Sequence, residues 1–298
     1  MRNWQTGVAT HRGTKKQNNE DSFLYRISKD HKGNEIALFV VADGMGGYEV
    51  GDEASRLAIK AFKDWWEKRI NKLMKKRHVM KHIIREGTKV FHEINATIKE
   101  TGRRKGKKMG TTASFLVMYH KQYAIIHVGD SRIYRLKGWD YDSPYLQMEA
   151  FSQESHDQNT VLLEQEPELL QLTEDHSWVE TQIRQGKLSK EAARNHPKRN
   201  VLVQCLGIKK EINPFIESGT YLHSDLFVLC SDGFHSLFSD QDIKNMLLGL
   251  DKEYGDLQSI CEYLINFSNF SEAHDNVTLM LIRQVYIANK KKPLLPFF

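Results

Sequence analysis

Residues 38–47 read Leu-Phe-Val-Val-Ala-Asp-Gly-Met-Gly-Gly, an apolar run that ends in an acid and three glycines. The run has the length of a strand and is almost wholly apolar, which is typical of a sheet that is covered on both faces. Asp43 is therefore predicted to stand at the end of a buried strand, where the glycines let the backbone approach an ion or an oxyanion closely. Taken alone, the segment is better interpreted as an Asp-Gly turn.

The same pattern, an apolar run followed by an acid, recurs elsewhere in the chain. This recurrence favours a binding site over a simple turn. Asp232 and Asp130 also follow short apolar runs. Glu20, Asp21 and Asp275 lie beside further apolar runs. Carboxylates that converge in one cleft repel each other unless a cation lies between them, and carboxylate oxygens are preferred ligands of Mg²⁺ and Mn²⁺. The repeated pattern predicts a hard-cation site built at several strand ends.

Five short runs rich in β-branched and aromatic residues predict strands. They cover residues 36–42, 112–119, 123–128, 227–230 and 277–282. Between the first two runs, apolar residues recur at spacings of three and four over 54–66 and 79–98. This spacing predicts two helices, each with one face packed on a sheet. Ser189 and Ser239 precede helix-forming segments and are predicted N-caps.

Composition limits the class of protein. The 298 residues are 40% hydrophobic, enough for a substantial core, and the formal net charge of +5 is too weak to indicate nucleic acid by itself. The three cysteines have no CxxC spacing, which suits a reducing compartment rather than a disulfide framework or a zinc site. The sequence shows no signal peptide and no run near the roughly 20 apolar residues of a membrane span. We therefore expect a cytoplasmic protein that binds neither nucleic acid nor membrane.

Charge is unevenly spread along the chain. Residues 99–108 hold six Lys and Arg around two glycines and predict a mobile basic loop. Residues 139–168 hold eight Asp and Glu, no Lys or Arg and no strong periodicity, and predict a long acidic surface insertion that is partly disordered. One hypothesis is that this insertion folds over the cleft or the basic loop. A solvated loop without a regulatory role is an equal alternative.

Taken in order, the motifs resemble the PP2C-type (PPM) family of metal-dependent protein serine/threonine phosphatases, in its bacterial branch. The matching stretches are residues 18–23, 40–47, 51–55, 110–112, 128–132, 172–177, 195–201, 230–233 and 275–278. They follow the order of the family from the N-terminus to about residue 283. A chance match of this many ordered motifs is negligible, so the resemblance is specific.

The resemblance implies an α+β fold, a four-layer α/β/β/α sandwich of two antiparallel sheets flanked by helices. It implies one phosphatase domain over residues 1–285, with the acidic insertion at 139–168, and a C-terminal tail at 286–298. The implied reaction is hydrolysis of phosphoserine and phosphothreonine in proteins by a hydroxide that bridges two Mn²⁺ or Mg²⁺ ions. The implied partners are phosphorylated substrates of a Ser/Thr kinase, and we expect a monomer.

The resemblance also implies a ligand set for the two core ions. Asp43 would bridge both ions. Glu20 and the carbonyl of Gly44 would complete one ion, and Asp232 and Asp275 the other. Two cations that share a carboxylate lower the pKa of a bridging water towards neutrality, so Asp43 and Asp232 are catalytic as well as metal-binding candidates. No cysteine or serine nucleophile is needed.

Three further positions carry implied roles. Asp21 would hold metal-bound water, and Asp130 with Asp232 would hold a third ion. The family usually has an arginine that binds the substrate phosphate four residues before the glutamate of the Asn-Glu-Asp motif, and Lys16 stands there. Lysine binds phosphate as a point charge without the bidentate fork, so weaker substrate binding is expected. In the alternative, Lys16 is a solvated charge and Arg12 reaches in.

Two other functions stay open at this stage. A catalytically weak member that serves as a sensor or scaffold is the main alternative. The acids Glu20, Asp43, Asp232 and Asp275 are all intact, which argues against it. A nucleic-acid-binding protein that uses residues 99–108 would need aromatic side chains between the basic ones, and that segment has none.

Overall fold

The computed structural model describes residues 2–45, 50–139, 166–271 and 273–286. The strands in this part of the chain are β1 (Arg2–His11), β2 (Asp21–Lys29), β3 (Glu35–Met45), β4 (Gly110–Thr111), β5 (Ala113–Tyr119), β6 (Gln122–Val128), β7 (Arg132–Lys137), β8 (Glu168–Gln171), β9 (Phe215–Thr220), β10 (Leu226–Cys230) and β11 (Val277–Tyr286). The helices are α1 (Val50–Leu73), α2 (Val79–Lys105), α3 (Trp178–Arg184), α4 (Lys190–Arg194), α5 (Asp232–His235), α6 (Asp240–Tyr254) and α7 (Leu257–Phe270).

The strands form two antiparallel sheets. One sheet has the order β1-β11-β10-β7-β8. The other has the order β2-β3-β5-β6-β9, and the short strand β4 pairs with the end of β3. β3 pairs with β2 on one side and with β5 on the other, so it lies inside its sheet. β10 holds the same interior position between β7 and β11.

The interior strands β3 and β10 explain the apolar runs in the sequence. In β3, Leu38 and Val40 pack with α1 and α2, whereas Phe39 packs against the opposite sheet. In β10, Val228 packs with α6 and α7, whereas Phe227 packs between the sheets. Because side chains alternate along a strand, a strand covered on both faces must be apolar at every position. The acid that follows each run therefore marks the point where the strand leaves the core.

Three apolar layers hold the sandwich together. The first lies between α1, α2 and their sheet, where Phe62 of α1 contacts Phe115 of β5 at 5.4 Å between ring centroids. The second lies between the two sheets, and the third between the other sheet and α6 and α7. Helix, sheet, sheet and helix follow one another as four layers. The predicted α/β/β/α sandwich of two antiparallel sheets is confirmed.

Most predicted elements appear, with longer bounds than the patterns gave. The five predicted strands correspond to β3, β5, β6, β10 and β11, and the two predicted helices are α1 and α2. Both predicted N-caps are present. Ser189 Oγ accepts a hydrogen bond from the Ala192 amide at 3.1 Å. Ser239 forms a reciprocal capping box with Asp242 at the start of α6.

The prediction of a mobile basic loop over residues 99–108 is wrong for most of that segment, because α2 continues to Lys105. Arg103 and Arg104 both donate to the Glu100 carboxylate, one turn earlier, at 2.8 and 2.9 Å. Such pairs support a helix, and cations at a helix C-terminus interact favourably with its dipole. Gly106 then ends the helix in the left-handed conformation at φ 64°.

The predicted acidic insertion lies mostly outside the described residues, and so does the predicted tail beyond residue 286. The hypothesis that the insertion folds over the cleft therefore stays a prediction, as does the division into a domain and a tail. The ends of the predicted insertion belong to the sandwich. Trp139 is buried in the layer beneath α6 and α7, and Glu168 begins β8.

Candidate metal centre

The acids of the predicted site come together at one end of the sandwich. Asp43 lies near the end of β3, and Asp21 begins β2 directly opposite it in the antiparallel register. Asp232 is the first residue of α5, immediately after β10. Asp130 follows β6, and Asp275 precedes β11. These strand ends meet because neighbouring antiparallel strands begin and end at the same edges.

The acids form one group of interacting charges. Asp43 and Asp232 lie close enough for each to act on the pKa of the other. Burial raises the pKa of Asp43 well above its ordinary value, and the four other acids named above raise it further. Burial and then the charge of Asp275 raise the pKa of Asp232, while burial and then Asp232 raise the pKa of Asp130. The protein places these carboxyl groups where they repel one another.

Asp21 is held by two hydroxyl groups that the sequence did not reveal as functional. Its Oδ2 accepts hydrogen bonds from Ser231 Oγ at 2.7 Å and from Thr278 Oγ1 at 2.6 Å. Its Oδ1 is buried and accepts no hydrogen bond of ordinary geometry. Burial raises the pKa of Asp21 to about 7, although the two hydroxyl groups act against this shift. The available signal was that Ser231 and Thr278 lie one and three residues from two strand-end acids.

Glu20 is positioned through Asn276, which lies next to Asp275. The Glu20 amide donates to Asn276 Oδ1 at 2.9 Å. The Asn276 side-chain amide donates to the Arg12 and Asn18 carbonyls, both at 2.9 Å. The Asn276 backbone amide donates to Asp275 Oδ1 at 2.9 Å. One asparagine therefore ties together the two segments that carry Glu20 and Asp275.

Two glycines allow the backbone to pass close to Glu20. The Gly44 amide donates to the Glu20 carbonyl at 3.2 Å, and a Cβ on Gly44 would lie 2.1 Å from the Gly51 carbonyl oxygen. A Cβ on Gly51 would lie 2.4 Å from Glu20 Oε1. The glycines were predicted to permit close approach to an ion. The structure shows that they also permit close packing of the β3 end on the start of α1.

Lys16 reaches the acid group from the loop between β1 and β2. Its Nζ lies 2.9 Å from Asp275 Oδ1 and 3.7 Å from Glu20 Oε2. Burial lowers the pKa of Lys16, but the hydrogen bond and the charge of Asp275 outweigh it and the pKa is raised. Arg12, the alternative phosphate-binding residue, is exposed and donates to the Gln17 carbonyl at 3.4 Å. Lys16 is therefore the cation that faces the predicted site.

The donor set fits hard divalent cations. Its side-chain donors are all carboxylates, the ligands that Mg²⁺ and Mn²⁺ prefer. Glu20 Oε1 and Asp21 Oδ1 are buried without an ordinary hydrogen bond, so each has lone pairs free for a cation. Across the residues that the structure describes, no three His, Cys, Asp or Glu side chains surround one point closely enough to hold an ion, and the contacts are pairwise. A bound cation would remove the repulsion among the acids.

Comparison with known proteins identifies the family. A family model described as Protein phosphatase 2C matches residues 9–273. The chain belongs to the protein phosphatase 2C family. It is 31% identical over 279 residues to the serine/threonine phosphatase Stp of Listeria monocytogenes serotype 4b (strain F2365), a match that covers 92% of this chain and 94% of that protein.

Solved structures show the same fold. The serine/threonine phosphatase of S. agalactiae superposes with a TM-score of 0.73 at 25% identity, covering 94% of this chain and 99% of that one. The catalytic domain of the serine/threonine protein phosphatase PstP, solved with two manganese ions, superposes with a TM-score of 0.68 at 22% identity, covering 96% and 100%. The predicted family, fold and enzyme class, a protein serine/threonine phosphatase, are confirmed.

In this protein phosphatase 2C chain, one partly buried ion pair near Asp130 has no counterpart among the sequence predictions. Arg132 donates to both Asp175 oxygens, with an Nη2–Oδ2 distance of 2.8 Å. Gln171 Nε2 also donates to Asp175 at 2.9 Å, and Arg132 Nη1 donates to the Tyr134 hydroxyl at 2.8 Å. Both charged residues lie in stretches that match the family. The sequence does not show that they meet, because 43 positions separate them.

Proposed function

We propose that this protein phosphatase hydrolyses phosphoserine and phosphothreonine in proteins, with two Mn²⁺ or Mg²⁺ ions held by the strand-end acids. The observation that supports this most is the convergence of five acids at one end of the sandwich, where the charges of the other four raise the pKa of Asp43. Such an excess of negative charge repels a phosphate ester and attracts divalent cations. A phosphate-binding site at this position therefore requires ions.

The proposed ligand assignment is the one that the family resemblance implies, and the free oxygens and neighbouring acids of this chain support it. Asp43 would bridge the two ions, because its carboxyl group adjoins Asp232 and feels Asp21 and Asp275. Glu20, with its buried free Oε1, and the Gly44 carbonyl would complete one ion, and Asp232 and Asp275 the other. When bound, the ions would supply a water of lowered pKa as the nucleophile and would neutralise charge on the phosphoryl oxygens.

The surrounding residues of the chain would orient water and substrate. The free Oδ1 of Asp21 would accept a hydrogen bond from water, while Ser231 and Thr278 fix the other oxygen. Lys16 would bind a phosphoryl oxygen, exchanging its contact with Asp275 for one with the substrate. Lysine makes this contact as a point charge, so it adds attraction without the geometric selectivity of an arginine fork.

A third ion would lie between Asp130 and Asp232. The charge of Asp232 raises the pKa of Asp130, which shows that the two acids repel each other. This repulsion supports a cation between them. The Asp130 carbonyl accepts a hydrogen bond from His235 Nε2 at 2.9 Å, and the preceding Gly129 takes φ 121°. A Cβ on Gly129 would lie 2.5 Å from Thr112 Cβ, so the turn that presents Asp130 depends on this glycine.

The test is hydrolysis of p-nitrophenyl phosphate and of a phosphothreonine peptide with Mn²⁺, Mg²⁺ or EDTA, for the wild type, Asp43→Asn and Asp232→Asn. We expect turnover only with a metal ion, and loss of turnover in both variants. A folded protein without turnover under any metal condition would contradict the proposal and support a sensor or scaffold.

The proposed substrates are phosphoproteins made by a Ser/Thr kinase, which the enzyme would oppose as a cytoplasmic monomer. None of the helices in the described part of the chain combines the length and the apolar character that crossing a membrane requires. The three cysteines are free and buried, which suits a reducing compartment. Size-exclusion chromatography with light scattering tests the monomer, and fractionation of cells tests the location.

A further inference from the structure

A set of basic side chains lies on the rim of the metal centre, at the C-terminal end of α2. This basic rim consists of Arg103, Arg104, Lys105, Lys107 and Lys108, all exposed. Two residues after it, β4 begins and pairs with the end of β3, so that Gly110 lies opposite Met45 and Thr111 opposite Gly44. The rim is thus joined by a short, paired strand to the segment that carries Asp43.

A groove lies beside the basic rim and is bordered by the segment that leads into Glu20. The polar depression has a volume of about 660 Å³. Its lining residues are Asn18, Asn19, Asp52, Glu53, Arg56 and Lys105. Asn18 and Asn19 directly precede Glu20 at one end, and Lys105 belongs to the rim at the other. Lys105 Nζ contacts Glu53 Oε2 at 2.5 Å and Arg56 Nη1 contacts Asp52 Oδ2 at 2.6 Å, so the charges inside the groove balance.

The basic rim itself carries more positive charge than its neighbours neutralise. Arg103 and Arg104 share the single carboxylate of Glu100. Lys107 and Lys108 form no ion pair with any residue that the structure describes. Several cations therefore face solvent together at the mouth of the groove, where they attract negative charge.

The basic rim is held in a fixed position relative to the metal centre. The Lys107 amide donates to the Gly102 carbonyl at 3.0 Å, which closes the end of α2. Met109 is buried directly after the rim. The Thr111 amide and the Leu206 amide each donate to the other residue's carbonyl, at 3.1 and 2.9 Å. Because the backbone that carries these charges is already ordered, it loses little conformational entropy when a ligand binds. The charges therefore discriminate between ligands more strongly than charges on a flexible loop would.

We infer that the basic rim makes the enzyme prefer phosphoprotein segments with acidic residues near the phosphorylated Ser or Thr, an inference that rests on the proposed function. The Thr112 amide donates to the Asp43 carbonyl at 2.8 Å, and Lys108 lies four residues earlier in the chain, so an extended substrate that advances roughly 3.3 Å per residue spans the interval between their backbones in roughly five residues or fewer. A protein ligand is favoured over single-stranded nucleic acid, because residues 99–108 offer no aromatic side chain for stacking.

The test compares two phosphothreonine peptides that differ only in having Glu or Gln at the flanking positions. For the wild type with Mn²⁺ at low salt, kcat/KM should favour the Glu peptide by about tenfold, and the preference should fall towards one at high salt. Lys107→Glu/Lys108→Glu should abolish or reverse the preference and leave turnover of p-nitrophenyl phosphate unchanged.

A matched control is available at the other end of the same helix. Lys75 and Lys76 are exposed in the turn between α1 and α2, and a helix of this length places them about 40 Å from the basic rim. Lys75→Glu/Lys76→Glu changes the net charge equally and should keep the preference for the Glu peptide.

Two outcomes separate this inference from the proposed function. Equal peptide preference in the rim variant, the control and the wild type, with normal turnover of p-nitrophenyl phosphate, overturns the inference alone. Absence of any turnover contradicts the proposed function and the inference with it. If the rim variant loses binding to a single-stranded oligonucleotide but keeps the peptide preference, the basic rim serves nucleic acid and the inference is wrong.

Discussion

Two pairs of partly buried charged side chains can be compared in this phosphatase, and the protein balances only one of them. Arg132 and Asp175 have opposite charges, and Gln171 and Tyr134 take up the remaining hydrogen bonds. Asp43 and Asp232 have like charges, and the charge of Asp232 raises the pKa of Asp43. Lys16 reaches the same acid group through Asp275 and Glu20.

On the proposed function, the difference separates charge that serves the fold from charge that serves a ligand. Burying charge costs free energy unless a partner and hydrogen bonds compensate it. Arg132 and Asp175 compensate each other within the chain. Asp43 and Asp232 raise the free energy of the metal-free protein, which an enzyme tolerates when the strained group is its active site. Removal of one acid from each pair should therefore change stability in opposite directions.

The largest expected effect is on catalysis. Asp43→Asn should lower kcat/KM for p-nitrophenyl phosphate about 10³-fold or more at every Mn²⁺ concentration, because it removes charge shared by both ions. Asp64→Asn, at an exposed acid of α1 that pairs with Lys60, should leave activity unchanged. Activity of Asp43→Asn within tenfold of the wild type would contradict the ligand assignment.

The second effect is on stability through the balanced pair. Asp175→Ala should lower the free energy of unfolding by about 3 kcal/mol, because it leaves the partly buried Arg132 with only the more distant Asp240 carboxylate, at 3.8 Å. Urea denaturation of the metal-free protein measures this change, and Asp64→Asn again serves as the control. A loss as small as that of the control would show that the Arg132–Asp175 pair does not balance buried charge.

A third, smaller effect has the opposite sign. Asp232→Asn should raise the free energy of unfolding of the metal-free protein by about 0.5–2 kcal/mol, since it removes repulsion with Asp43. The same denaturation experiment in EDTA measures it. A metal-free Asp232→Asn protein that is less stable than the wild type would mean that the two acids do not repel each other in the folded state.

The smallest effect concerns substrate binding. Lys16→Arg should lower KM for a phosphothreonine peptide by roughly threefold, and Lys16→Met should raise it by about the same factor, because an arginine fork binds phosphate in two places. Steady-state kinetics with saturating Mn²⁺ measure both changes. A KM that is the same in all three proteins would show that Lys16 pairs with Asp275 without contacting substrate.

The local sequence pattern predicted the interior strands and the long helices. The run that ends in Asp43 is apolar at every position because β3 has a core on both faces, and β10 before Asp232 is built the same way. β1 and β2 were not predicted. Both are edge strands of their sheets. Strands at an edge carry more polar residues, so their pattern resembles a loop.

Contacts between distant segments could not be predicted in the same way. The hydrogen bonds from Ser231 and Thr278 to Asp21 join positions more than 200 residues apart.

The sequence predicted a loop for the basic segment 99–108, because its charge and glycine content outweighed its helix propensity. Its pairing with Glu100 and its cap at Gly106 are helical features that only the folded chain makes plain.

Calorimetric titration of the metal-free protein with Mn²⁺ tests the central claim most directly, because it needs no substrate. The acid group, if it is the proposed site, should bind at least the two core Mn²⁺ ions per chain in the wild type and in Asp64→Asn. Asp43→Asn should lose binding of both, since Asp43 would bridge them. Wild-type binding in a folded Asp43→Asn protein would contradict the claim that Asp43 and Asp232 are held together for cations.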